Sequence, residues 1–155
     1  MNNLNDGLGL QGKYRTIVHR AATGKTETSE WKVNTISSAL KEAVAGNFQT
    51  PTDFAMDALF DGNVTPPTTD EDGIALHKST GAYYEMICSI SGSGSSRTFT
   101  GTFTGVAGTF DNAKMGYDYG AGYFAPEYAS PTAWDNVILA AADTLTVEWT
   151  ITVGA

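Results

Sequence analysis

The chain has few of the residues that usually build an active site. Its 155 residues include one cysteine and two histidines, which leaves no intrachain disulfide and no clustered ligands for zinc. Cys88 lies in an apolar alternation without a neighbouring histidine and is interpreted as a small core residue. His19 and His77 do not stand at the spacing of a catalytic triad or a metal pair. The sequence therefore predicts a protein that is not an enzyme and holds no metal or cofactor.

Basic residues and long apolar runs are also scarce. Nine lysines and arginines stand against 17 aspartates and glutamates, and the net charge is -8. This balance argues against nucleic acid and an anionic membrane surface as partners. No apolar run approaches the roughly 20 residues of a membrane span, and the first ten residues lack the basic and apolar regions of a secretory signal. We therefore expect no nucleic-acid or membrane partner and synthesis in a cytoplasm.

The strongest pattern in the chain is the alternation of apolar and polar residues from 143 to 153. Leu145, Val147, Trp149, Ile151 and Val153 fall on one face, and threonines with Glu148 fall on the other. This period of two is typical of a half-buried β-strand. It predicts a strand whose apolar face belongs to the core.

Shorter β-prone runs fill much of the remaining chain and are separated by turn residues. They cover residues 14–20, 26–33, 54–60, 83–90, 97–106, 109–117 and 133–140. The first two predict a hairpin with Gly24 in its turn, and the runs on either side of residues 91–96 predict a second hairpin. Residues 64–73 are rich in proline and acid and are interpreted as a loop that cannot be a central strand.

Phenylalanines and glycines alternate on one face of the run at 97–106. Phe99 and Phe103 are separated by Gly101 and followed by Gly105, opposite a face of threonines. This predicts that large side chains from a facing sheet fill the gaps, or that the strand bends there.

One segment has the period of a helix. Residues 35 to 45 place apolar side chains at helical spacing, with Asn34 as a cap and Gly46 at the end. The fold class that follows is mainly β, an antiparallel β-sandwich of jelly-roll or immunoglobulin-like type with one short helix. Residues 1–12 are predicted to form an N-terminal arm, and residues 13–155 a single domain.

Two segments are candidates for an interface. The arm carries three leucines, and an aromatic-glycine stretch runs from Tyr117 to Trp134. The candidate residues are Leu4, Leu8, Leu10, Tyr117, Tyr119, Tyr123, Phe124, Tyr128 and Trp134. A frayed terminus is the alternative for the arm. For the aromatics the alternatives are core packing at the end of the sandwich and contact with carbohydrate.

Acidic residues offer the remaining chemistry. Asp118, Glu127 and Asp135 include pairs that would suit a small glycan hydrolase, which needs two facing carboxylates. The acids at 70–72 do not have the spacing of a twelve-residue calcium loop and are interpreted as part of a solvated surface loop.

A pattern over residues 35 to 153 resembles a group of small tailed-bacteriophage virion proteins. The resemblance lies in the predicted helix and in the loop with Gly62, Pro67, Asp70 or Asp72, and Leu76. It continues in the strand from Arg97 to Phe103, near Ala113 to Gly116, and in the ending from Val137 to Ile151. The glycine that the ending of such proteins commonly carries is replaced here by Ala142.

The resemblance implies a non-enzymatic structural subunit of the virion, such as a capsid decoration, head-tail or tail component. Its expected partners are other virion proteins and copies of itself, as a homo-oligomer in the assembled particle. It would be made in the cytoplasm of the bacterial host. A carbohydrate-binding module for receptor binding is the alternative function, with a glycan hydrolase behind it.

Overall fold

The computed structural model describes residues 9–37, 71–92, 95–118 and 124–153. These residues form strands and contain no helix. The strands are β1 (Leu10–His19), β2 (Thr26–Thr28), β3 (Lys32–Ile36), β4 (Glu71–Lys78), β5 (Tyr83–Ile87), β6 (Ser89–Ser91), β7 (Ser96–Thr104), β8 (Gly108–Asp118), β9 (Phe124–Pro131), β10 (Val137–Leu139) and β11 (Thr144–Val153). The chain is therefore mainly β, as the sequence predicts.

The strands form one antiparallel sheet that curls on itself. Nine of them follow the order β5-β4-β8-β9-β3-β1-β11-β7-β6, while β10 pairs with β8 and β2 with β1. Strand β3 joins two halves of this sheet. It pairs with β1 through Lys32 and Val33, and with β9 from Asn34 to Ile36. Strands β5 and β6 lie at opposite ends of the order, although only Cys88 separates them in the chain.

The terminal strand confirms the strongest sequence prediction. β11 lies between β1 and β7 along its whole length. The side chains of Leu145, Val147, Trp149 and Ile151 are fully buried, while the alternate threonines are half-exposed. The core around them also contains Tyr14, Val18, Ile74, Leu76, Phe99, Phe103, Val106, Phe110, Ala113, Met115, Ala129, Val137 and Leu139.

The gap predicted at Gly101 is filled from the other half of the sheet. Phe99 and Phe103 are buried on the same face of β7. A Cβ placed on Gly101 would lie 3.4 Å from Cδ1 of Ile74 on β4 and 3.7 Å from Cβ of Met86 on β5. β4 and β5 therefore pack face to face with β7 across this glycine. Gly105 ends the strand with a φ of 69°, a left-handed conformation that suits glycine.

The first predicted hairpin is confirmed, and so is its turn. β2 pairs with the end of β1, and Gly24 has a φ of 68° between them. The second hairpin is only half right. Ser89 to Ser91 pair with β7, but residues 83–87 pair with β4 instead. The run at 83–90 looks continuous in sequence, yet it divides at Cys88 between the two ends of the sheet.

Two further predictions need correction. Asn34 to Ile36 form part of strand β3, so the predicted helix does not begin there; residues 38–45 lie outside the described residues. The loop predicted at 64–73 ends earlier than expected, because Glu71 to Gly73 already belong to β4. β4 is a central strand, paired with both β5 and β8.

The predicted domain boundary falls inside a strand. β1 begins at Leu10, so the last three residues of the predicted arm are paired with β11, and residues 1–8 lie outside the described residues. The alternation from Phe54 to Phe60 lies outside them as well. Of the run at 133–140, only Val137 to Leu139 form a strand.

Candidate interaction surfaces

Among the predicted interface residues, the structure describes the side chains of Trp134 and Leu10. Trp134 is half-buried, its Nε1 donates a hydrogen bond to the carbonyl oxygen of Phe110 at 3.1 Å, and its ring stacks on Tyr14 with centroids 5.5 Å apart. Trp134 therefore closes the edge of the core, which corresponds to the core alternative for this residue. Leu10 is also half-buried and packs against the core.

The structure says less about the other predicted interface residues. Tyr117 lies in β8, and Phe124 and Tyr128 lie in β9, where the backbone is described but the side chains are not. Leu4, Leu8, Tyr119 and Tyr123 lie outside the described residues. An interface at these positions stays a prediction.

Tyr14 is a buried aromatic residue that the sequence reasoning did not single out. Its side chain is 1 % exposed, its hydroxyl donates to the carbonyl oxygen of Ala133, and its ring lies 5.4 Å from that of Trp149. Burial, followed by the negative charge of Asp135, raises the pKa of Tyr14 to about 12. Only its place in the alternation of β1 could have indicated this role.

We expect Tyr14 to make the protein sensitive to alkaline pH. Because its folded pKa lies above the unfolded value, the stability that Tyr14 contributes is complete below about pH 10 and is lost as pH rises towards 12. The Tyr14→Phe variant should therefore lose less stability than wild type between pH 9 and pH 12 in urea titrations. Equal losses in the two proteins would contradict the assignment, and Tyr83→Phe, at a 49 % exposed ring, is the matched control.

A buried carboxylate ties two turns together. Asp143 is 5 % exposed, and its two oxygens accept hydrogen bonds from the backbone N–H of Ala21 at 3.0 Å and of Ala140 at 2.9 Å. Nη1 of Arg20 lies 3.1 Å from the same carboxylate, and its Nη2 lies 3.0 Å from Glu27. The two backbone donors, helped by Arg20, hold the pKa of Asp143 below its usual range. Asp143 belongs to the ending that carries the phage resemblance, and its role here is structural.

Asp143→Asn should lower the melting temperature at pH 7, because the amide replaces one acceptor oxygen with a donor that faces a backbone N–H. Asp143 has a depressed folded pKa, so its contribution is present above the unfolded value and is lost as pH falls through the folded value. The difference between wild type and variant should therefore shrink in acid. Thermal melts between pH 2 and pH 7 measure this. Asp135→Asn, at an exposed carboxylate, is the control and should stay close to wild type throughout.

The outer face of β7 and β11 is a ladder of hydroxyl groups. Thr98 lies 2.9 Å from Thr150, and Thr102 lies 3.1 Å from Thr146, measured between their Oγ1 atoms. Such cross-strand threonine pairs stabilise a sheet. At the margin with β1, Nε of Arg15 lies 2.6 Å from a carboxylate oxygen of Glu148. This face is polar, and its hydroxyl groups largely satisfy one another.

A basic aromatic surface lies next to this ladder. The indole of Trp31 is 38 % exposed and lies beneath two cations, with Nζ of Lys13 4.7 Å and Cζ of Arg15 4.6 Å from the ring centroid. Val33, two residues along the chain, is 72 % exposed. We call Lys13, Arg15, Trp31 and Val33 the Trp31 surface. Residues 10–36 hold five of the nine basic residues but only two of the 17 acidic ones, so the surface lies in a segment where basic residues outnumber acidic ones.

A groove of about 650 Å³ borders the Trp31 surface. It opens where β3 leaves β1, and its lining is Leu10, Gln11, Gly12, Lys13, Val33, Asn34, Thr35, Ile36, Thr150 and Thr152. The side chain of Asn34 packs directly on Gly12, where a Cβ would collide with it. Asn34 is 6 % exposed, and its Oδ1 has no hydrogen-bond donor within the described part of the chain.

A smaller groove of about 250 Å³ lies further along β1, beside β2 and β10. Tyr14 and Trp134 line it, and Lys32, Asp135, Arg20 and Glu27 surround them. The four charged groups are paired with one another, Lys32 with Asp135 and Arg20 with Glu27. Aromatic rings with polar neighbours are the chemistry that contacts sugars.

The acids proposed for a glycan hydrolase are distributed over three places. Asp118 pairs with Glu71 and Phe124, Glu127 pairs with Gly116, and Asp135 lies between β9 and β10 against Lys32. The backbone thus brings Asp118 and Glu127 onto neighbouring strands, while Asp135 forms an ion pair. The described residues contain no group of three or more acids, histidines or cysteines able to hold a metal. They also contain no helix long and apolar enough to cross a membrane.

Comparison with known proteins adds no relative. No protein-family model matches the chain, and neither a curated protein nor a solved structure matches it.

Proposed function

We propose that this chain is a non-enzymatic structural protein of a tailed-bacteriophage virion, which acts by self-association or by docking on another virion protein. The observation that carries the proposal is the Trp31 surface, where a partly exposed indole and a largely exposed valine lie beside two cations on a regular sheet. Aromatic residues and arginine are enriched at the centres of protein interfaces. The sequence resemblance supports a role as a decoration, head-tail or tail component that is made in the bacterial host.

The proposal extends to the form of the sheet. The proximity of Ile74 and Met86 to Gly101 of the opposite half supports a β-sandwich, in which two facing layers share one core. A two-layer sandwich gives each copy a rigid body that positions its contact surfaces. Many such copies in one particle would add weak contacts into a stable assembly.

The proposed interface differs from the one predicted from sequence in some of its residues. Residues 1–8 stay in it, whereas Leu10 belongs to β1 and Trp134 to the margin of the core. The Trp31 surface takes the place of these two residues. The segment from Tyr117 to Tyr128 remains a second contact in the proposal.

Mass spectrometry of purified virions tests the function. The chain should be present in the particle in many copies, and its absence there would sink the proposal. Deleting residues 2–8, which spares the strand that starts at Leu10, should leave the circular dichroism spectrum intact and lower incorporation into particles. A Trp31→Ser/Val33→Ser variant should have the same effect, with Ile138→Ser, at a 63 % exposed side chain on β10, as the control.

A carbohydrate-binding, receptor-binding module is the second candidate function. The smaller groove favours it, since the half-buried ring of Trp134 lies there beside Asp135, Asn136 and Arg20. Binding to a glycan array, lost in Asp135→Ala and kept in Trp31→Ser, would support this function over the structural one.

A further inference from the structure

One side of β1 is left without a neighbouring strand. β3 pairs with β1 only at Lys32 and Val33 and then turns away to β9, whereas β1 continues to Leu10 with β11 on its other side. In the described residues, no strand lies against the β3 side of residues 10–12. The groove of about 650 Å³ borders this gap and extends over β1 to Thr150 and Thr152 of β11. An unpaired strand edge offers backbone donors and acceptors to an added extended segment.

The chemistry of the groove indicates what would fill it. Leu10, Val33 and Ile36 supply apolar walls, and Val33 is 72 % exposed. Oδ1 of Asn34 is buried without a donor, and a backbone N–H of an entering segment would satisfy it. Lys13 stands at the rim. The groove thus suits an extended segment that bears leucine and negative charge.

Residues 1–8 have this chemistry. Their sequence is Met-Asn-Asn-Leu-Asn-Asp-Gly-Leu, with Leu4 and Leu8 as apolar anchors and Asp6 as the charged side chain. They join β1 through Gly9, at the end of the groove wall. Extended, eight residues span at most about 29 Å, enough to reach a neighbouring molecule.

We propose that residues 1–8 of a second copy of this chain occupy the groove between β1 and β3. The inference rests on the proposed function, because it names the contact through which copies associate. A net charge of -8 opposes contact between copies in general, while Lys13, which lines the groove, makes this site locally favourable for Asp6. Since arm and groove are different surfaces, the contact is heterologous, and its repetition builds a ring or a filament.

Complementation between two full-length variants tests the inference. Leu4→Asp/Leu8→Asp alters the arm and leaves the groove, whereas Val33→Asp alters the groove and leaves the arm. Each variant alone should associate at least about tenfold more weakly than wild type, by sedimentation velocity, because a charge would enter an apolar site. An equimolar mixture should form a 1:1 dimer and no larger species, since it retains one intact arm and one intact groove per pair.

Two further variants sharpen the result. Ile138→Asp places the same charge at another exposed apolar position and should associate like wild type. Asn34→Ala removes the buried acceptor and should weaken association about fivefold while the monomer stays folded.

Three outcomes would overturn the inference. They are wild-type protein that stays monomeric up to about 1 mM, a Val33→Asp variant that associates like wild type, and a mixture that forms no dimer although each variant alone is monomeric. The first of these would be expected if the arm occupied the groove of its own chain. Virion mass spectrometry tests the proposed function independently of this inference. The chain could be present in particles without arm-to-groove association, and it could associate in this way without being part of a virion.

Discussion

Trp149→Ala is expected to destabilise the protein by about 3 to 5 kcal/mol. Trp149 is fully buried in the middle of β11, opposite Tyr14 on β1 and Phe99 on β7. Its ring lies 5.4 Å from that of Tyr14, which in turn stacks on Trp134. Truncation would therefore leave a large cavity beside Tyr14 and Phe99, and urea or thermal unfolding would measure the loss.

Two variants serve as controls for this result. Trp31→Ala removes the same side chain from an exposed position and should cost about 1 kcal/mol, mainly through its two cation-π contacts. Trp149→Phe should cost less than half of Trp149→Ala, because the buried Nε1 of Trp149 has no hydrogen-bond partner among the described residues. A Trp149→Ala variant as stable as wild type would contradict the register of β11.

The sequence predicted best those strands that have one face in the core and one in solvent. β7 and β11 alternate with period two, and the buried residues of both are the ones that the pattern selected. β8 was predicted within a residue of its ends. Such strands are readable because a shift of one residue would exchange their two faces completely.

β4 was missed because it lacks this alternation. Ile74, Ala75 and Leu76 are all buried, so the run carries no period, and it follows a proline-rich acidic stretch that reads as a loop. The predicted helix was wrong at its start, where Thr35 and Ile36 belong to β3, for a different reason. Three residues, Asn34 to Ile36, are too few to form a helical turn by themselves, and their pairing with β9 determines their conformation.

The candidate surfaces were less predictable than the strands. Trp31 is remote in sequence from the aromatic-glycine stretch and lies in a polar run, and its surface exists only because β1 places Lys13 and Arg15 over the ring. The groove depends on the point at which β3 leaves β1, which is a property of pairing over long distances in sequence. Trp134 is a residue type that is common at interfaces, but its hydrogen bond to Phe110 places it against the core.

The second large effect is expected at Ile74. Its side chain is fully buried on β4, and its Cδ1 lies 3.4 Å from the position of a Cβ on Gly101, on the facing half of the sheet. Ile74→Ala should therefore cost about 2 to 5 kcal/mol, since it removes the side chain that fills the space beside a glycine. The loss would be measured by equilibrium urea unfolding.

The same substitution at Ile138 isolates the cause. Ile138 is 63 % exposed on β10, so Ile138→Ala changes the same atoms without opening a cavity and should alter stability by less than about 0.5 kcal/mol. If the two halves of the sheet meet across Gly101, Gly101→Ala should be tolerated, whereas Gly101→Leu should be destabilised and partly rescued by Ile74→Ala. Additive effects of Gly101→Leu and Ile74→Ala would mean that these positions do not touch, and the face-to-face packing of β4 on β7 would have to be abandoned.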